Sequence, residues 1–398
     1  MQTTEAFEGL SCTDCGETFD VDEHGRCPDC EAPLSPTYDR GTVDPTGFGD
    51  GDGPGQYRFD ALLPFPTASA ITAGEGGTPL VRTDRLADEL GVAAAYVKDE
   101  GRNPTGTFHD RGMSLAVTAA AERGTEPLAL AAAGNAGQSA AAYAGRAGLR
   151  SYAFVPSRTA FSNKAMVNVH GGEMRVVGGR YGDAAAAVDE QLAADYHSLQ
   201  EFTTPYRHDG AKTLAYELLD AGNGDAGDDG RLPDAVVLPA STGELVVGVV
   251  EGLRDLVALG LVEAVPEVYA VQPAGCAPIA TAHESGAEAV EAWNGPDTIV
   301  GELEIDEPAG GDLALAALAD VGGDALAVED DAALESAVSV ARTEVIEVGG
   351  AGGVALAGTW RLSESGVLGG DDEVAIVNPD SGVKTPDVLR SHLMGKGI

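Results

Sequence analysis

The stretch Val97-Lys98-Asp99-Glu100-Gly101-Arg102-Asn103-Pro104-Thr105-Gly106-Thr107-Phe108-His109-Asp110-Arg111-Gly112-Met113 decides the fold. It leaves the run Ala95-Tyr96-Val97, turns through Asn-Pro and then Thr-Gly, and enters an alanine-rich segment. Dipeptides of this kind close one element and open another. The stretch therefore reads as strand, loop and helix.

Working outward, the same alternation recurs. Short apolar runs stand at Ser151-Tyr152-Ala153-Phe154-Val155, Glu173-Met174-Arg175-Val176-Val177, Asp234-Ala235-Val236-Val237-Leu238, Val268-Tyr269-Ala270-Val271 and Val374-Ala375-Ile376-Val377. Stretches rich in Ala and Leu separate them. This order predicts an α/β protein with mostly parallel sheets. Ligands of such sheets bind at the carboxyl ends of strands, in the loops that lead into helices. The length of 398 residues predicts two or three units, and 43% hydrophobic residues suffice for a sizeable core.

Three further loops lie where chemistry is expected. Ala131-Ala132-Ala133-Gly134-Asn135-Ala136-Gly137-Gln138-Ser139 reads from its residues as a glycine-rich helix start, where Asn also serves as an N-cap. Leu238-Pro239-Ala240-Ser241-Thr242-Gly243-Glu244-Leu245 precedes another helix. Glu244 there is either a solvent-facing first-turn acid, favoured by the helix dipole, or a negative charge inside the loop. The last loop is Val377-Asn378-Pro379-Asp380-Ser381-Gly382-Val383-Lys384.

Four of the five cysteines form Cys12-x-x-Cys15 and Cys27-x-x-Cys30. Each pair puts two thiolates on one tight knuckle, a spacing suited to tetrahedral zinc. The segment is too small to build its own core, so metal binding would supply its folding energy. Two disulfides or an iron site are the other readings, and a reducing cytosol disfavours the disulfides. Cys276 reads as a small buried hydrophobe. His24, His170, His197, His208, His283 and His392 read as structural.

The net charge is -40, from 64 acidic and 24 basic residues, of which only Lys98, Lys164, Lys212, Lys384 and Lys396 are lysines. Such a surface suits molar salt, which shortens self-repulsion to roughly 3 Å. A salt-rich cytoplasm is the expected location. Nucleic acid is not an expected partner, because phosphate contacts need clustered Lys and Arg. Met1 to Leu10 carries no basic residue and no apolar run, so no signal peptide is expected. No apolar stretch approaches the ~18 residues of a membrane span.

The Lys98-to-Met113 stretch resembles the Lys-Asp-Glu and Asn-Pro-Thr-Gly-Ser-Phe-Lys-Asp-Arg-Gly-Met signature of threonine synthases and other fold-type II pyridoxal-phosphate (PLP) enzymes. His109 stands where that family's lysine forms a Schiff base with PLP. Gly134 and Asn135 are similar to the family's Ser/Thr-Gly-Asn loop, whose asparagine meets the cofactor's ring oxygen, but Ala133 replaces the hydroxyl residue. Ser241, Thr242, Gly243, Glu244 and Leu245 stand at the glycine-rich phosphate loop, which holds phosphate by backbone N–H groups and a helix N-terminus. Pro379 falls at the residue that meets the pyridine nitrogen, with Asn378 or Ser381 as substitutes. Asp209-Gly210-Ala211-Lys212-Thr213 and Tyr269 to Ile279 also resemble family segments, as does the zinc ribbon. The resemblance runs from about Gly76 to Pro386.

It implies two lobes behind a zinc ribbon. The expected division is 1–35 for the ribbon, 36–75 for a linker or wrapping arm, 76–114 with 206–398 for the large lobe, and 115–205 for a smaller inserted lobe. A homodimer is implied too. Imidazole forms no imine with an aldehyde, so ordinary Schiff-base catalysis is not expected. A cleft that binds an amino acid or a phosphorylated metabolite in a regulatory role is expected instead. His109 is then either a space-filling residue or a base, since histidine titrates near neutrality. The alternative is an active lyase that converts O-phosphohomoserine to threonine and phosphate, with PLP held unlinked.

Overall fold

Each apolar run named above forms a strand in the computed structural model, which describes residues 1–23, 25–192, 196–219 and 231–395. His24, the acidic loop Gly222 to Gly230 and Lys396 lie outside the described residues. The chain divides into two compact units. The first comprises Met1–Gly77, His109–Leu214 and Glu251–Glu263, and the second Thr78–Phe108, Ala215–Val250 and Ala264–Ile398. The ribbon, the arm and the segment 115–205 therefore share one unit, together with 109–114 and 206–214.

The first unit holds two sheets. Strands β1 (Phe7–Cys12), β2 (Thr18–Phe19) and β3 (Leu34–Tyr38) pair antiparallel in the order β2-β1-β3. Strands β6 (Leu128–Ala131), β7 (Ser151–Pro156), β8 (Glu173–Val177) and β9 (His197–Ser198) pair parallel in the order β8-β7-β6-β9. Leu10 and Leu34 of the small sheet, Tyr57 and Phe65 of the arm, and Met113 and Val117 of the helix His109–Arg123 all belong to one buried cluster. The arm is thus packed down by its aromatic residues, and the ribbon borrows a core it is too small to build.

The second unit is built on one six-stranded sheet. Strands β4 (Leu80–Arg82), β5 (Ala94–Asp99), β10 (Ala235–Pro239), β11 (Glu267–Pro273), β12 (Asp324–Val328) and β13 (Glu373–Asn378) stand in the order β12-β11-β10-β13-β5-β4. All pairings are parallel except β4 with β5 at the edge. Val97, Val237, Val271 and Ile376 from four adjacent strands are buried in one cluster with Leu356 of the helix Gly350–Glu364. The loops 99–108, 240–243 and 379–381 leave the carboxyl ends of the neighbours β5, β10 and β13. That is where an open parallel sheet presents its chemistry. No helix among the described residues is long and apolar enough to cross a membrane.

Candidate functional site

In the second unit the loop after β5 is held by buried charge. Lys98 is fully buried, and its Nζ donates to Glu217 Oε2 at 2.6 Å and to the Thr78 carbonyl at 2.5 Å. Thr78 Oγ1 donates to Glu100 Oε1 at 2.5 Å, and Asn103 Nδ2 donates to Glu100 Oε2 at 2.7 Å. The Lys-Asp-Glu and Asn-Pro residues thus brace the loop. Its far end is tied to the loop after β13: Phe108 N donates to the Pro379 carbonyl at 2.9 Å and Ser381 N to the Gly106 carbonyl at 3.0 Å.

Between β10 and the helix Glu244–Ala258 lie Ser241, Thr242 and Gly243. Gly243 has φ +92°, and a Cβ there would sit 2.5 Å from the Gly310 carbonyl oxygen, so only glycine fits. Thr242 O accepts from Gly310 N at 2.8 Å. Glu244 opens the helix and is only 3% exposed, so it is not a solvent-facing acid. A buried carboxylate at a helix N-terminus meets the same N–H groups that an incoming phosphate needs.

After β13, Asn378 is 2% exposed and its Nδ2 donates to Asp99 Oδ1 at 2.9 Å. That amide serves the neighbouring strand end. Pro379 brings no donor. Asp380, which no motif marks in the sequence, is 1% exposed. Its partner in charge is Glu302, which no local motif marks. Burial, and then the Asp380 carboxylate, push the Glu302 carboxyl up to about 7.

In the first unit His109 opens the helix His109–Arg123, and Asn135 opens the helix Asn135–Ala147. Gly134, not Asn135, is the N-cap of the second helix, so Asn135 is no capping residue. A Cβ on Gly134 would lie 2.7 Å from Asn163 Nδ2. Asp110 is fully buried and accepts from Ser139 Oγ at 2.6 Å. His109 Nδ1 lies 3.3 Å from Arg207 Nη2.

Three of the lysines are engaged. Lys98 pairs with Glu217 at 2.6 Å, Lys212 with Asp209 at 2.6 Å, and Lys164 donates to the Ser157 carbonyl at 2.8 Å.

The ribbon gathers Cys12, Cys15, Cys27 and Cys30, whose Sγ atoms all lie within 4.8 Å of one another. All are free thiols. Tetrahedral zinc, with ~2.3 Å bonds to sulfur, needs such a spacing. The donor set fits a metal ion and fills every position around it. Cys276 is buried, and its Sγ faces the Ile305 carbonyl at 3.3 Å.

Residues 71–380 match the family described as pyridoxal-phosphate dependent enzyme. The chain is similar to threonine synthase of Methanosarcina acetivorans, 32% identical over 96% of this chain and 93% of that one. It is also similar to threonine synthase of Methanocaldococcus jannaschii, 32% identical over 94% of this chain and 93% of that one. Its fold is similar to a fungal L-serine ammonia-lyase from Rhizomucor miehei, with a TM-score of 0.70 and 20% identity over 80% of this chain and 97% of that one.

Proposed function

Because the chain belongs to the pyridoxal-phosphate dependent enzyme family and has threonine synthases as homologues, we propose that it is a threonine-synthase-like protein working without a lysine-linked cofactor. The observation that carries this is the burial of Glu244 at the start of its helix, in a chain whose residue 109 is histidine. His109 cannot form the Schiff base. Glu244 places a carboxyl at the start of the helix that would meet a dianionic phosphate, and in its ionised form it would repel that group. At ~4 Å and an effective dielectric near 20, two like charges repel by about 4 kcal/mol, roughly a thousandfold in affinity. Pro379 offers nothing to a pyridine nitrogen, while Asn378 has its Nδ2 on Asp99 and a buried Oδ1 that only a donor could meet. These residues do not fit lysine-linked PLP.

The role proposed is binding of a free amino acid or a phosphorylated metabolite, with a regulatory outcome. The residues proposed for binding are His109, Asn135, Ser241, Thr242 and Gly243. The ribbon cysteines would hold a structural zinc. The acidic surface points to a salt-rich cytoplasm. The 32% identity with a threonine synthase over 96% of the chain favours the second reading, a lyase acting on O-phosphohomoserine with unlinked PLP.

An absorbance spectrum of the purified protein in molar salt separates the readings. No PLP chromophore, even after PLP is added, supports the binding role. A chromophore that borohydride cannot fix to the chain supports the lyase. A chromophore that borohydride does fix overturns the proposal.

A further inference from the structure

The helix His109–Arg123 and the short helix Arg207–Ala211 touch backbone to backbone. A Cβ on Gly112 would lie 2.4 Å from the Arg207 carbonyl oxygen, and one on Gly210 would lie 2.6 Å from the Arg111 carbonyl carbon. Two glycines therefore set the register that brings Arg207 to His109.

Arg207 is 1% exposed and pairs with Glu201, itself 4% exposed, at 2.8 Å. Its Nη1 also donates to the Leu199 carbonyl at 3.1 Å. Glu201 is fixed from its other side by the Tyr181 hydroxyl. Gln200 Nε2 donates to Tyr181 at 2.6 Å, and Gln200 Oε1 accepts from Ala131 N at the end of β6 at 2.9 Å. Burial and the Glu201 carboxylate push the Tyr181 phenol well above its ordinary range, so it stays a donor. The residue after Glu201 is Phe202, buried, with φ +54°, in the left-handed region that non-glycine residues rarely enter. Its ring is stacked on His208 with centroids 5.4 Å apart. Strained backbone of this kind persists only where the surroundings over-determine it, and it concentrates at functional sites.

A guanidinium has five donors and no acceptor, and it keeps its proton in proteins. The 3.3 Å contact from Arg207 Nη2 therefore needs a lone pair on His109 Nδ1. An imidazole that accepts at Nδ1 and is neutral carries its proton on Nε2.

We propose that Arg207, held by Glu201, is a positioning residue that locks His109 as the neutral Nε2–H tautomer. This rests on the reading that position 109 is part of the binding site. The imidazole so held spends its Nδ1 lone pair on Arg207 and carries a hydrogen at Nε2, so it can donate to an oxygen acceptor and does not abstract a proton.

The test is a long-range proton–nitrogen correlation spectrum of the full-length protein, labelled with 15N-histidine, in molar salt near neutral pH and without PLP. The signals of His109 are assigned by their loss in His109→Gln. The expected pattern is a bare Nδ1 and a protonated Nε2. Arg207→Met should mix the tautomers, and Arg207→Lys, which keeps a donor, should restore the pattern. A wild-type His109 protonated at Nδ1, or on both nitrogens, overturns the proposal whether or not the variants fold. So does an Arg207→Met spectrum unchanged from wild type. The spectrum needs no chromophore, so its failure is distinct from failure of the proposed function.

Discussion

Lys98 and Glu217 form an ion pair at 2.6 Å with side chains 0% and 2% exposed. Breaking one half of such a pair leaves the other charge buried alone, and the cost is about 3–5 kcal/mol. Lys98→Met should destabilise the protein by that amount in urea unfolding at constant high salt. A loss under about 1 kcal/mol, the scale of a surface pair, would show that water reaches Glu217.

Restoring the family's lysine should not restore its chemistry. His109→Lys is expected to give no borohydride-fixable PLP adduct at micromolar cofactor, because Glu244 remains. Adding Glu244→Gln should raise PLP affinity by up to about a thousandfold, as measured by absorbance titration. A full adduct in the single variant would mean that Glu244 does not oppose the phosphate.

Glu302 makes stability depend on pH in an uncommon direction. Its carboxyl is raised in the folded chain from an ordinary 4.5 to about 7, by burial and then by Asp380. The folded state therefore binds the proton more tightly than the unfolded one. This contribution is complete below about 4.5 and is lost as pH rises through about 7. Glu302→Gln should gain stability relative to wild type across that window. Urea midpoints at several pH values in one salt check it, and a constant gap would contradict it.

The ribbon cysteines should hold about one zinc per chain in protein never exposed to chelator. Removing it, or replacing Cys27 by Ser, should lower the melting temperature, because Cys12 and Cys27 belong to the same buried cluster as Met113 and Tyr143. Elemental analysis below about half a zinc per chain would rule the metal out.

The net charge of -40 should make the fold salt-dependent. Screening lengthens from about 3 Å at 1 M to about 10 Å at 0.1 M. The melting temperature should fall over that dilution, and an unchanged value would remove the argument for a salt-rich home.

The strands were legible because each carries its own apolar run. Val236-Val237-Leu238 could face no other way than into a sheet covered on both sides. The four loops were legible because Asn103-Pro104, Gly134-Asn135, Gly243 and Asn378-Pro379 punctuate strand ends. What escaped was everything set by long-range packing. Glu302 lies far from Asp380 in sequence, and nothing near it announces a half-buried acid beside another carboxylate. The burial of Glu244 was undecidable from a first-turn position, which is equally at home in solvent. Arg207 was unremarkable in sequence, since only the approach of Gly112 to its backbone brings it to His109.

That contact bears on whether the chain has a way back. With histidine at 109, Arg207 has a neutral acceptor 3.3 Å away. A lysine there would set an ammonium against a guanidinium that cannot give up its proton. Position 109 is therefore costlier for lysine than for histidine while Arg207 stays, so His109→Lys meets a charge penalty at Arg207 as well as at Glu244. The choice of side chain at one position is thus written into the charge of its neighbour.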